Sequence, residues 1–239
     1  WKMKFIVLTV TKYKDYDAII SGINDEKGLI EFKAIGVYRP NNKNKDILNP
    51  LTVCEITFTN QNQKYDILKE VSVIVSPLGV SDSLEKLSSI QRITKLAKLG
   101  LQEDEFVSFY NEIFKAVQSL NRGDDPYLTL IAFISVFLKK TGYAFEMNHC
   151  VRCGGKNGIV AFSFDDGGFI CKDCFNPEDD HSHFTAQQIM LLRYLYLFSD
   201  EYNFKKLTYD KKDCKTILDS YIVFVNDQLG IDLDFELLK

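Results

Sequence analysis

The sequence predicts an α+β chain of several domains: a β-barrel at the start, then a helical bundle interrupted by a cysteine-rich insert. Three observations carry that reading. About five short stretches before residue 77 have strand texture and none has helical period. Past Ser76-Pro77 the apolar residues recur at three- and four-residue spacing. Four of the six cysteines then fall into two close pairs between residues 150 and 174. The expected divisions are residues 1–77 for the barrel, 78–149 and 175–239 for the helical part, and 150–174 for the insert.

The strands come first. Phe5–Val10 is a β-branched run, and Ile19–Ile23 and Leu29–Val37 follow it, joined by a turn at Lys27-Gly28. In the third stretch Ile30, Phe32 and Ala34 share one face, opposite Leu29, Glu31 and Lys33, as in a half-buried strand. Arg39–Asp46 is a polar loop, Leu51–Thr59 alternates again, and Asn60-Gln-Asn62 turns into Tyr65–Val75. Five short strands in under ~80 residues suit a small barrel of the OB kind.

The helices follow. Asp82 is a candidate cap with Glu85 in the first turn. Phe106, Phe109, Tyr110, Ile113, Phe114, Val117 and Leu120 mark one helix face. Asp125-Pro126 opens a helix that stops near Gly142, and its apolar residues lie nearly all round, as in a central buried helix. Thr185-Ala-Gln-Gln188 reads as a capping box. Ile217, Leu218, Tyr221, Ile222, Val225 and Leu229 mark a last helix, with Gly230 just past its end.

Composition narrows the function classes. An apolar content of 46% in 239 residues supports a packed core and argues against wholesale disorder. The apolar stretch Tyr127–Leu138 falls short of the ~20 residues a membrane span needs, so no membrane partner is expected. No secretory leader is read at the start, and Trp1 ahead of Met3 reads as an added residue with Met3 as the native start. Paired cysteines without a leader point to a reducing, cytoplasmic compartment. Net charge is −4, yet residues 1–77 carry 11 basic and 9 acidic side chains, which makes them the better candidate for an anionic partner.

Two constellations carry chemistry. Cys150-Val-Arg-Cys153 and Cys171-Lys-Asp-Cys174 are separated by seventeen residues, a spacing of four-cysteine zinc sites. Four thiolates fill a tetrahedron, so one structural zinc ion in an inserted zinc finger is the expectation. Metal-free buried thiol pairs are the plain alternative, and His149, His181 or His183 would serve in a Cys₃His variant. The second constellation is diffuse. Lys2, Lys4, Lys12 and Lys14 surround Tyr13 and Tyr16, while Lys33, Arg39, Lys43 and Lys45 interleave with Phe32 and Tyr38. Cations neutralise phosphates and aromatic faces stack on bases. The plain alternative is a core Phe32 among ordinary surface lysines. Catalytic motifs of the nucleophile-elbow, P-loop, dinucleotide and HExxH kinds are not found in the sequence, so no enzyme activity is expected.

The order of parts resembles the bacterial RecO family of recombination mediators. Tyr13-Lys-Asp-Tyr-Asp17, Lys27-Gly28-Leu-Ile, Gly36-Val-Tyr-Arg-Pro40, Leu48-Asn-Pro-Leu51, Thr141-Gly142-Tyr143 ahead of Cys150, and Gly168-Phe-Ile-Cys171 are similar to stretches of that family. The likeness spans most of the chain, although the loop 37–45 holds fewer basic residues than is usual there. The resemblance implies binding of single-stranded DNA by the OB domain and annealing of complementary strands. It also implies work with RecR to displace single-strand-binding protein (SSB) so that RecA loads, as part of the RecFOR pathway at the nucleoid. On this reading Lys12, Lys14, Lys33, Arg39, Lys43 and Lys45 contact phosphate, and Tyr13 and Tyr38 stack on bases. The competing expectation is a zinc-stapled protein–protein adaptor without DNA binding of its own.

Overall fold

The computed structural model describes residues 2–59, 66–79, 83–179, 184–205 and 207–234. Two compact units divide the chain, the first ending at Pro126 and the second spanning Tyr127–Asp234.

In the first unit, strands β1 (Met3–Tyr13), β2 (Asp17–Asn24), β3 (Gly28–Ala34), β4 (Val53–Phe58) and β5 (Leu68–Val75) form one antiparallel sheet in the order β3-β2-β1-β4-β5. The expected alternation in β3 is seen: Phe32 and Ala34 are buried while Leu29 and Glu31 are exposed. Phe32 anchors the core, with the Phe5 and Phe58 rings each 5.1 Å away. Val7, Ile20, Ile47 and Ile56 pack in the same cluster. Burying each such side chain is worth ~1.5–3 kcal/mol. Gly22 lets β1 and β2 close up, because a Cβ there would fall 2.1 Å from the Ile6 carbonyl oxygen. The Asp25–Lys27 turn between β2 and β3 is held by the Asn24 side chain, which accepts from the Glu26 and Lys27 amides.

The sheet is OB-like but not a closed barrel. Its edge strands meet at one parallel bridge, Lys33 with Ile67, where the Lys33 amide donates to the Asp66 carbonyl at 2.9 Å. Further along β5, Asn44 takes the place of a strand partner. Its side chain donates to the Lys69 carbonyl and accepts from the Val71 amide, both at 3.1 Å. A loop side chain thus satisfies the edge groups that full closure would have paired. A short 3-10 turn at Lys45–Leu48 follows this loop and buries Ile47.

Helices α1 (Leu84–Gly100) and α2 (Phe106–Asn121) belong to the same unit as the sheet. Ser83 caps α1, its hydroxyl accepting from the Lys86 amide. Asp82 and the Asn60–Asn62 turn lie outside the described residues. The buried face of α2 includes Phe106, Phe109, Tyr110, Ile113, Val117 and Leu120, the stripe legible in the sequence, with Phe114 half-buried.

In the second unit, α3 (Pro126–Lys140) is buried at every position from Leu128 to Leu138. Its Ser135 hydroxyl meets the Tyr221 hydroxyl at 3.0 Å, so the polar atoms inside this helix–helix contact are paired. Three short strands follow: β6 (Glu146–Cys150), β7 (Ile159–Ser163) and β8 (Gly168–Cys171), in the order β6-β8-β7. Helix α4 (Ala186–Leu197) opens on the Thr185/Gln188 capping box. Helix α5 (Lys211–Leu229) stops at Gly230, whose φ of +64° is the left-handed position glycine favours. Phe145, Phe162, Phe164, Tyr196, Tyr221 and Phe224 form an aromatic cluster between the small sheet and these helices. Among the described residues no helix is long and apolar enough to cross a membrane.

Candidate nucleic-acid face and metal centre

The basic face forms where the β1–β2 hairpin meets the loop after β3. Strands β1 and β2 place Lys12 opposite Ala18 and Tyr13 opposite Asp17, at the open end of the ladder. The loop after β3 is fastened to this hairpin. The Asp17 carboxylate accepts from the Gly36 amide at 2.7 Å, and the Tyr38 amide donates to the Tyr16 carbonyl at 3.0 Å. Gly36 has φ +64°, and the turn there brings the Arg39 amide onto the Gly36 carbonyl.

Each ring in this region carries a cation from the same chain. Lys33 and Lys14 lie 5.0 and 5.4 Å from the centre of the Tyr13 ring. Lys12 lies 5.9 Å from the Tyr38 ring, and Arg39 lies 5.7 Å from the Tyr16 ring. Such contacts are worth ~0.5–1 kcal/mol at exposed sites and keep long side chains in place. Lys14 has φ +58°, a strained conformation for a residue with a side chain.

Six of the eight sequence candidates therefore come together: Lys12, Tyr13, Lys14, Lys33, Tyr38 and Arg39. Lys43 and Lys45 do not join these ring contacts. Lys43 is paired with Glu70 at 3.0 Å, and its hydrogen bond and charge hold the Glu70 carboxyl below its ordinary value. The Lys45 ammonium donates to the Pro40 carbonyl. Tyr16 is the ring to which sequence reasoning gave no role; its signal was its place among the early lysines. Asn44 had no signal, because its partners on β5 are 25 and 27 residues away.

The metal centre is tighter. The sulfurs of Cys150, Cys153, Cys171 and Cys174 all lie within 4.8 Å of one another. Cys150 ends β6 and Cys171 ends β8, and these strands pair in parallel, which sets the two knuckles side by side. In the first knuckle the Gly154 amide returns to the Cys150 carbonyl at 2.8 Å, and the Cys150 amide donates to Gly155. In the second, the Cys174 amide donates to the Cys171 carbonyl at 3.1 Å. Four ligands at a zinc–sulfur distance of ~2.3 Å would leave sulfurs ~3.8 Å apart. Cys153 and Cys171 stand at 3.7 Å, so the donor set fits a tetrahedral thiolate metal.

Electrostatics point the same way. Burial opposes ionisation of Cys150, but the amides of Cys171, Cys153 and Arg152 donate to its sulfur and bring its thiol down to about 6. Cys174, hydrogen-bonded to Cys153 and Cys171, is pushed up to about 12. Four thiolates do not share one site unless a cation neutralises them. His149 stands apart from the sulfurs, with its Nδ1 3.4 Å from Glu146, whereas His181 and His183 lie outside the described residues. Arg152 ties this layer together, bonding to Asp166 at 2.6 Å, Asp179 at 2.7 Å and the Cys174 carbonyl at 2.9 Å.

An OB-like sheet with a basic, aromatic end, together with helices and a four-cysteine layer, defines a protein of modular α+β type. Family comparison gives the particular lineage. Residues 1–77 match the model of the Recombination protein O N terminal, and residues 81–233 match that of the Recombination protein O C terminal. The chain belongs to the RecO family. It is 26% identical over 225 residues to a DNA repair protein RecO of Bacillus subtilis, covering 92% of this chain and 87% of that one. A DNA repair protein RecO of Halalkalibacterium halodurans is 28% identical over 199 residues, covering 82% and 78%. One from Mesoplasma florum is 28% identical over 193 residues, covering 76% and 70%.

Proposed function

We propose that this chain is a non-catalytic mediator of DNA repair and homologous recombination in the bacterial cytoplasm, at the nucleoid. It binds single-stranded DNA, anneals complementary strands, and with RecR helps RecA load onto DNA coated by SSB. Family membership supports the class of function. The observation that carries the DNA reading is the set of cations seated on Tyr13, Tyr16 and Tyr38.

That arrangement suits annealing. Lys12, Lys14, Lys33 and Arg39 neutralise phosphates, and the rings beneath them hold the cations in place. Tyr13 and Tyr38 offer aromatic surface for sequence-tolerant stacking once a strand is bound. Contacts to the backbone carry no base code, so the Watson–Crick edges stay available to a second strand. Lys43, paired with Glu70, and Lys45 have a smaller part in this reading.

Cys150, Cys153, Cys171 and Cys174 would hold one zinc ion, the metal that most often takes four thiolates at this spacing. Zinc supplies a closed tetrahedral staple with no open position, which makes its role structural. The test of the functional reading is annealing of a fluorophore strand to a quencher strand. The wild-type chain is expected to speed pairing of several unrelated sequences to similar extents. A chain that leaves the spontaneous rate unchanged would refute the proposal.

A further inference from the structure

The second unit carries a groove that the DNA reading does not use. It encloses about 290 Å³ between the β7–β8 turn and α5, lined by Phe164, Asp165, Asp219, Ser220, Val223, Phe224, Asp227 and Gln228. Its apolar part is well defined. The Phe164 and Phe224 rings stack at 5.0 Å, and Val223 is 58% exposed beside them. An exposed valine flanked by carboxylates one helical turn to either side is an apolar spot inside an acidic frame.

The charge is one-sided. Three carboxylates line the groove, and among the described residues no lysine, arginine or histidine does. Lys215 reaches Asp219 from the preceding turn of α5, which leaves the other two carboxylates facing the groove. Asp227 sits in the last turn of α5, where no basic residue is present. A carboxylate there adds to the negative end of the helix dipole, an arrangement that a bound cation relieves. The carboxylates do not converge on a point. Among the described residues the four cysteines form the cluster that can hold a metal ion, so a single divalent ion is not the occupant this groove fits. Spread negative charge around an apolar spot matches a spread cationic partner with an apolar anchor.

We propose that this groove docks a segment of a partner protein in which arginine or lysine residues flank an apolar side chain. The cysteine layer holds its wall in place. Asp166, next to Asp165 in the β7–β8 turn, is gripped by Arg152 of the first knuckle at 2.6 Å. Partner docking and single-strand binding are thereby separate properties of the two units.

The test uses the full chain and a fluorescein-labelled peptide of alternating arginine and leucine. Saturable binding that weakens with salt is expected. The triple variant Asp165→Asn, Asp219→Asn, Asp227→Asn should lose at least tenfold in affinity, and Val223→Ser several-fold, with thermal unfolding and oligonucleotide binding unchanged. Equal peptide affinity in the triple variant would overturn the proposal. So would equal binding of a glutamate–leucine peptide, or competition by spermidine as effective as that of the unlabelled peptide.

Discussion

The cysteine layer and the basic face are built on opposite plans. Four sulfurs from two short knuckles converge within 4.8 Å, held by local backbone hydrogen bonds and by Arg152. The cations of the other region come from β1, the turn after it, β3 and the loop beyond, and each rests on a ring rather than on a common centre. Convergence serves a point ligand that must be fully enclosed. A spread set of cations suits an extended polyanion. The two plans make different demands on stability, and mutation should separate them.

The largest effect is expected at the convergent site. Cys171→Ser leaves three ligands for the metal and one buried hydroxyl among thiolates. A loss of at least ~3 kcal/mol is expected, lowering Tm by about 6–12 °C in calorimetry. Treatment of the wild type with a strong chelator should move the melt in the same direction. Oligonucleotide affinity of the folded fraction should stay near the wild-type value, because the proposed DNA face lies in the other unit.

The spread site predicts the reverse pattern. Changing Lys12, Lys14, Lys33 and Arg39 together to alanine should leave Tm within a few degrees of the wild type. It should weaken single-strand binding by about tenfold or more at low salt. Lys43→Ala with Lys45→Ala should do less, since Lys43 is already paired with Glu70. Anisotropy titrations of both variants rank the two sets.

Two smaller effects sharpen the contrast. Arg152→Ala removes partly exposed ion pairs, so only a small loss of stability is expected, together with faster metal release to a chromogenic chelator. Lys14→Gly relieves the left-handed backbone at φ +58° while deleting one cation. The lost contact with the Tyr13 ring offsets that relief, so stability should change by less than ~0.5 kcal/mol while DNA binding weakens slightly. Urea unfolding read beside an oligonucleotide titration checks both.

The same contrast explains what the sequence made legible. The four cysteines were readable because their spacing encodes their geometry, and the α4 capping box and Gly230 were readable because a helix end is decided within four residues. Strands β6 to β8 were not, since β8 is four residues long and buried throughout, too short to show a period. The incomplete closure of the sheet was hidden for another reason. It depends on Asn44 meeting β5, a contact that no local pattern records. The basic face fell between these cases. Its residue types were visible, but the split between seated cations and the ion-paired Lys43 needed the three-dimensional fold.

The most direct test of the central claim is anisotropy of a labelled single-stranded oligonucleotide across a salt series, comparing the wild type with the Lys12, Lys14, Lys33 and Arg39 alanine variant. Phosphate-led binding predicts affinity that falls log-linearly with salt in the wild type. In the variant the slope should be flatter by about 2–3, from ~0.7 per lost phosphate contact. An unchanged slope and affinity in a folded variant would place DNA binding elsewhere on the molecule and contradict the account.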